Sequence, residues 1–357
     1  MAEKVLVAMS GGVDSSVAAY LLQQQGYACI GVTMRLYENE TAGIPRGHTC
    51  CSLDDVEDAR AVAYDLGMPY YVLNFTEEFD EKVIRKFVQV YQNGGTPNPC
   101  IDCNRYLKFD HLLNRARELG CDYIATGHYV QRWQDENGRW GLRKNDDPGK
   151  DQSYVLYSLT QDQLAHTLFP LGGMHKDAVR AIAEEQGLCN ARKHDSQDIC
   201  FVPDGDYVSF LRQYGGVEPV PGDFLDSEGR VLGRHRGMEC YTIGQRKGLG
   251  VSANAPQYVL GKDPDRNAVI LGEDNRLYTR ELTAERVNWL SVPEPDRPLS
   301  VTAKTRYSQR EAAATVEPLP GGCIRMVFTE PQRAVTPGQA VVFYDGDLVL
   351  GGGTICP

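Results

Sequence analysis

The sequence predicts an α/β fold, with a doubly wound parallel sheet in its first half, a small mostly-β middle domain and a C-terminal antiparallel β-barrel. Three observations predict it. Strand and helix patterns alternate as far as about residue 186, the βαβα rhythm of a parallel sheet with helices on both faces. Near Pro203 the texture changes to short segments punctuated by Gly and Pro, including Pro219, Pro221-Gly222, Gly229, Gly233, Gly244, Gly248 and Gly250. Farther on, Val301 to Tyr307 alternates with period two, and Thr336-Pro337-Gly338 and Asp345-Gly346 read as turns of a small barrel. The expected boundaries are 1–203, 204–278 and 279–357.

Lys4 to Met9 reads as a short buried strand, Ser10 to Ser16 as a turn, and Val17 to Gln25 as a helix stopped by Gly26. Ala28 to Arg35 is the second strand. Leu53 to Leu66 is a helix closed by Gly67, and Tyr70 to Asn74 is the third strand. Helices follow at about 77–92 and 106–119, then a strand at Tyr123 to Ala125. Arg132 to Arg143, centred on Glu136-Asn137-Gly138, reads as a projecting β-hairpin. A further helix covers roughly 175–186. No internal repeat or low-complexity tract interrupts this order.

The composition, 42% hydrophobic and 24% charged, is that of a soluble globular protein. No apolar run approaches the roughly 18 residues of a membrane helix, and the N-terminal apolar stretch is too short for a signal peptide. The expected compartment is the cytoplasm, with no membrane partner. The net charge of −11 argues against indiscriminate nucleic-acid binding. From Arg276 onward, nine basic residues balance nine acidic ones, so the negative excess lies in the first 275 residues. A local basic patch for RNA remains compatible with that distribution.

Eleven cysteines without a secretory signal direct attention to metal or thiol chemistry rather than to a disulfide framework. Cys29, Cys121, Cys189, Cys240, Cys323 and Cys356 have no partner in the sequence pattern and read as packing residues.

Ser10-Gly11-Gly12-Val13-Asp14-Ser15-Ser16 lies between the first strand and the first helix. Two glycines allow a tight turn and a close approach of backbone N–H groups to an anion. Serine hydroxyls and the helix N-terminus add donors and partial positive charge. No Gly-Lys-Ser/Thr follows, so this is not a Walker A loop, and a Rossmann fingerprint is absent. The segment resembles the PP-loop, Ser-Gly-Gly-x-Asp-Ser-Ser, of the ATP pyrophosphatases, which implies cleavage of ATP to AMP and pyrophosphate with Mg²⁺. Asp14 would either place Mg²⁺ on pyrophosphate or cap the helix.

Thr96-Pro97-Asn98-Pro99-Cys100-Ile101-Asp102-Cys103-Asn104 reads as a proline-stiffened loop with two thiols, and Asp195 to Phe201 brings a third in Cys200. With Thr126-Gly127-His128-Tyr129, Gly149 to Tyr154 and Tyr241 to Gly250, these segments closely resemble the tRNA-specific 2-thiouridylases, in order from the phosphate loop to the barrel. The resemblance implies that Ala8, Met9, Ser10, Gly11, Gly12, Val13, Asp14 and Ser15 bind ATP, with Met34 and Gly127 beside the adenosine. It further implies that Asn98, Pro99 and Cys100 touch the target base. Cys103 would be the nucleophile and Cys200 the persulfide carrier, and the two would form a redox disulfide. Lys150, Asp151, Gln152, Arg306 and Tyr307 would contact tRNA at its wobble uridine, and a sulfur donor protein or sulfide source would supply the sulfur.

Many members of that family have Asp where this chain has Cys100. An acid or base role of that Asp does not transfer. Cys100 and Cys103 instead make Cys-x-x-Cys, which with Cys200 offers three thiolates for a [4Fe-4S] cluster as the rival to the persulfide route. His48-Thr49-Cys50-Cys51-Ser52 reads as a loop near the active site without assigned chemistry, a zinc site with Cys100 and Cys103 being the alternative. His128 reads as structural or base-proximal. Lys304, Arg306, Arg310, Arg246, Lys247, Arg143 and Lys144 together read as an RNA grip. The competing readings are another PP-loop tRNA thiolase, such as one acting on cytidine, an amide-forming synthetase, and a non-catalytic sulfur-carrier or RNA-binding protein.

Overall fold

The structure, a computed structural model, describes residues 2–37, 53–195, 199–202, 205–253 and 255–357. The segment His48 to Ser52, with Cys50 and Cys51, and residues 196–198 lie outside the described residues.

β1 (Lys4–Ala8) pairs in parallel with β2 (Ala28–Arg35) on one side and β4 (Tyr123–Ala125) on the other. β3 (Tyr70–Asn74) flanks β2, and β7 (Thr167–Leu168) flanks β4, giving a five-stranded parallel sheet in the order β3-β2-β1-β4-β7. β7, two residues long, has no period to read in the sequence. Both faces are covered, because alternate residues of β1 enter different cores. Val5 and Val7 pack with α1 (Val13–Gln24) and α2 (Leu53–Asp65), whereas Leu6 packs under the helical runs 76–92 and 99–118. Strand order reverses between β2 and β4 about β1, so the carboxyl ends of β1 and β4 border the crevice where such sheets hold ligands.

Two expectations about local structure change here. α1 begins at Val13, so Val13 to Ser16 are helix and only the residues before them turn. The helical run 99–118 begins at Pro99, a residue suited to the first helical turn because it lacks an N–H. Cys100 and Cys103 therefore stand on a helix rather than a loop, and Cys103 opens a wide-turned π-helical stretch, Cys103–His111.

The expected hairpin forms from β5 (Gln131–Gln134) and β6 (Trp140–Arg143), but it does not project freely. β6 pairs with the C-terminal strand through Leu142–Val349 and Arg143–Leu348, so the hairpin is stitched onto the barrel. A four-stranded sheet of the middle region contains β8 (Gly222–Leu225), β9 (Val231–His235), β10 (Tyr258–Asp263) and β11 (Ala268–Gly272). The helix Tyr207–Gln213, capped by Asp206 on the Ser209 N–H, was not legible in the sequence, and it drives Phe210 and Leu211 into the core of the first domain. The remaining six strands, β12 (Tyr278–Trp289), β13 (Leu299–Lys304), β14 (Ala312–Leu319), β15 (Cys323–Arg333), β16 (Ala340–Asp345) and β17 (Leu348–Ile355), close into an antiparallel barrel when β12 pairs with β17.

Candidate active site

The loop after β1 turns at Gly11, whose φ of +73° is a left-handed conformation that glycine adopts without strain. A Cβ there would lie 2.3 Å from the Asp55 carbonyl oxygen, and one on Gly127 would lie 2.8 Å from the Ser15 nitrogen. Both glycines are needed for close backbone approach. The Ser10 N–H donates to Ser15 Oγ at 3.2 Å, and the Ser15 and Ser16 hydroxyls donate to the Gly12 carbonyl. The N–H groups of Gly11, Gly12, Val13, Asp14 and Ser15 have no hydrogen-bond partner among the described residues. Gly12 at the N-cap carries no side-chain cap. Orphan donors at a helix N-terminus suit the phosphates of a nucleotide.

Several supports of this loop come from far along the chain. The Asn190 amide donates to the Gly11 carbonyl at 3.0 Å and to Ser16 Oγ at 2.9 Å. Thr33 donates to the Met9 carbonyl at 2.6 Å, and Tyr70 donates to Thr33. Asp14 does not cap α1. Its carboxylate accepts both oxygens' worth of bonds from Lys176 (2.7 and 2.9 Å) and a third from Tyr129 OH at 2.7 Å. Lys176 is only 6% exposed, and it also meets Asp195 at 2.7 Å. Burial first, then the bond to Asp14, pushes the Tyr129 phenol far above its usual range, so it stays a donor.

Cys103 is buried within the core under the sheet, and Cys200 packs partly buried against that same core. The Cys200 carbonyl accepts from Tyr37 OH at 2.9 Å, and Phe201 is enclosed by Phe79, Phe87 and Phe210. Cys100 is exposed. It lies close enough to Tyr307 to add to the effects of burial and Asp151 in raising that phenol. Among the described residues, no three of His, Cys, Asp and Glu gather into a group able to hold a metal. Cys100, Cys103 and Cys200 therefore do not gather as the three-thiolate group a [4Fe-4S] cluster would need, while the zinc alternative also calls on Cys50 or Cys51, which lie outside the described residues. His128 is buried between Phe109 and Phe169, with Nδ1 2.8 Å from Thr126 Oγ1. Burial, then Lys108, drives its pKa well below the usual histidine value, so it is neutral.

The expected packing role holds for Cys29, Cys121 and Cys240, which are buried, and burial lifts the Cys29 thiol to about 11. Cys189 is exposed, and Cys323 and Cys356 are half-buried, so packing does not account for them.

Three family models tile the chain: a tRNA methyl transferase HUP domain over residues 3–204, a tRNA methyl transferase PRC-barrel domain over 208–273, and an aminomethyltransferase beta-barrel domain over 279–355. The tRNA-specific 2-thiouridylase MnmA of Moorella thermoacetica is 55% identical over 351 residues, covering 98% of each chain. That of Acetivibrio thermocellus is 52% identical over 357 residues, covering 99% of each. The chain belongs to the tRNA-specific 2-thiouridylase family.

The residues a 2-thiouridylase is expected to use for RNA are placed less simply than its phosphate loop. Tyr307 is 45% exposed, and its OH donates to the Asp151 carbonyl at 3.1 Å, so two expected RNA segments meet beside Cys100. Lys150 is paired with Asp195 at 2.8 Å. Asp151 accepts from Ser153 and Asn145, and Gln152 accepts from the Tyr129 N–H. Arg306 donates through one nitrogen to the Ile243 and Ala334 carbonyls and to Thr336 Oγ1, clasping the middle region to the barrel. Lys144 donates to the Gly346 carbonyl and pairs with Glu311, while Arg143 lies over the Trp133 ring. Each of these cations already has a partner within the protein. Met34 stands near the carboxyl end of β2, and Gly127 backs the first turn of α1. Asn98 lies at the N-cap of the helix carrying Cys100 and Cys103.

Proposed function

We propose that this chain replaces the C2 oxygen of the wobble uridine in certain tRNAs with sulfur, at the expense of ATP. The reading rests above all on the row of orphan N–H groups at the start of α1, set on the same sheet as the core that holds Cys103 and Cys200. Full-length identity to tRNA-specific 2-thiouridylases supports the acceptor.

The loop from Ala8 to Ser15 holds the ATP phosphates, with Met34 and Gly127 flanking the adenosine; Mg²⁺ supplies charge neutralisation on the leaving pyrophosphate. Without a Walker lysine, cleavage falls between the α and β phosphates. The uracil O2 attacks the α-phosphorus, pyrophosphate leaves, and the oxygen becomes part of a good leaving group. Asn98, Pro99 and Cys100 border the base. The terminal sulfur of a Cys200 persulfide, charged by a sulfur donor, adds to C2 as AMP departs. Cys103 thiolate then attacks the Cys200 sulfur, which frees the 2-thiouridine and leaves a Cys103–Cys200 disulfide for an external reductant to reset. Lys150, Asp151, Gln152, Arg306 and Tyr307 form the tRNA side, within units spanning 1–203, 204–278 and 279–357.

The test is mass spectrometry of nucleosides from tRNA incubated with the protein, ATP, Mg²⁺ and a sulfur source, with the nucleotide products followed in parallel. The expected result is 2-thiouridine at the wobble position with AMP and pyrophosphate. ADP and phosphate as the tRNA-dependent products, or unmodified uridine, would overturn the proposal.

A further inference from the structure

The helical run that carries Cys100 and Cys103 turns another face to a cleft beside the barrel. Asn98 at its N-cap, Asp102 and Arg105 line that cleft, together with Lys86 from the helical run 76–92, Tyr157, and Arg286 of β12. The cleft holds about 50 Å³, room for about four waters or one phosphate group but not for a nucleoside. Three cations face it against one carboxylate, in a chain whose net charge is −11. That carboxylate, Asp102, is 6% exposed and is taken by Lys86. Arg105 has no carboxylate within ion-pair distance among the described residues. Its bonds go to the phenols of Tyr106 and Tyr157, the latter long at 3.4 Å. A guanidinium offers five N–H donors in a flat fork, so Arg105 retains donors for an oxyanion.

Arg286 reaches the cleft because β12 bends there. Its φ of +52° is left-handed, and the pairing of β12 with β17 slips between Glu285 and Asn288 at the same place. Such a bulge redirects a side chain, here into the cleft and towards Asp102. Its partner Glu285 lies 3.2 Å away with both side chains about half exposed, a pair too weak to cancel the cation.

We propose that this cleft seats one backbone phosphate of the tRNA next to the wobble uridine, held by Arg105 and Arg286. The inference deepens the proposed function and rests on it. Two guanidiniums across a space of this size match a phosphate, whose oxygens a planar fork engages in pairs. The phosphate belongs to a polynucleotide, because the cleft excludes a nucleoside and borders Asn98, assigned above to the target base. Lys86 keeps Asp102 neutralised, so the carboxylate does not repel the strand. The contact positions RNA without reading its sequence.

The experiment uses full-length protein and tRNA alkylated sparsely with ethylnitrosourea, so that each phosphate is neutralised in a small fraction of molecules. Phosphates whose alkylation hinders binding are mapped for wild type, Arg105→Met and Arg286→Ala. Affinity and salt slope are measured on unmodified tRNA by fluorescence anisotropy. In wild type, alkylation of one phosphate flanking the wobble uridine is expected to hinder binding. Both variants are expected to bind tRNA about tenfold more weakly, with a salt slope smaller by about 1. Both should lose that phosphate from the map and keep the others. Wild-type ATP affinity in the same preparations excludes misfolding, and should Arg105→Met not fold, the half-exposed Arg286→Ala decides. Unchanged affinity, or weaker binding with the whole map retained, would overturn the inference. So would an unchanged map with inorganic phosphate stabilising wild type but neither variant, which would make the occupant a free anion. Wild type that binds tRNA but makes no 2-thiouridine would instead overturn the proposed function and leave this contact standing.

Discussion

In the phosphate loop the N–H groups of Gly11 to Ser15 have no partner among the described residues, whereas at the expected RNA face Lys150, Arg306 and Lys144 are each engaged with protein oxygens. Backbone donors at a helix start are orphaned by helix geometry itself, so the fold delivers them unpaired to a ligand. A flexible cation is held by no such rule. It bonds the nearest carboxylate or carbonyl, and a motif that places it beside RNA leaves open whether it grips RNA or braces the protein. Lys262 stands outside both patterns: its ammonium nitrogen is covered, has no hydrogen-bond partner among the described residues and lies about 6.0 Å from the Tyr91 ring.

Four substitutions break or sharpen this contrast. Gly11→Ala carries the largest expected effect. It combines a left-handed φ with a clash against Asp55, and the loop must shift. Thiolation is expected to fall about 100-fold, the usual consequence of displacing reacting groups by about an ångström. Steady-state assays at saturating tRNA check this; unchanged activity would mean that the loop geometry is not what holds ATP.

Arg306→Ala comes next. Removing three bonds from one half-buried guanidinium is expected to cost about 2 kcal/mol in denaturant unfolding. If stability is unchanged and only tRNA affinity falls, Arg306 is a direct RNA contact and the clasp is incidental.

For Lys262, burial lowers the pKa from 10.5 to about 8. Between those values the unfolded chain binds the extra proton, so this residue makes stability rise with pH from about 8 towards 10.5. Lys262→Met is therefore expected to be more stable than wild type at pH 7, by on the order of 1 kcal/mol, with the gap closing by pH 10. Thermal unfolding across that range checks the sign.

The smallest effect belongs to Lys150→Ala. Its partly exposed ion pair contributes at most about 1 kcal/mol to stability. Fluorescence anisotropy with labelled tRNA is expected to show weaker binding, with the salt slope reduced by about 1. An unchanged slope would assign Lys150 wholly to Asp195.

What was legible in the sequence follows the same division. Ser10 to Ser15 is contiguous, and its chemistry depends on backbone and on helix position, so both the loop and its place after β1 could be read. The βαβ rhythm carried the parallel sheet for the same local reason. Lys176 and Asn190 escaped notice, and Tyr129 received no role, because each acts across more than a hundred residues on a loop that carries no trace of them. The attachment of β6 to β17 was equally invisible, since hairpin signals define a turn but not the neighbour of its outer strand. Cys100 and Cys103 were found by type and spacing, yet the π-helical stretch that begins at Cys103 has no sequence period distinguishing it from an ordinary helix.

The central claim is a separation of labour: backbone N–H groups hold the nucleotide, and Cys103 and Cys200 handle the sulfur. The most direct measurement compares wild type with Cys103→Ser and Cys200→Ser for nucleotide binding and for tRNA thiolation in the same preparations. The account predicts wild-type ATP affinity in both variants and no detectable 2-thiouridine from either. Near-normal thiolation by either variant would contradict it.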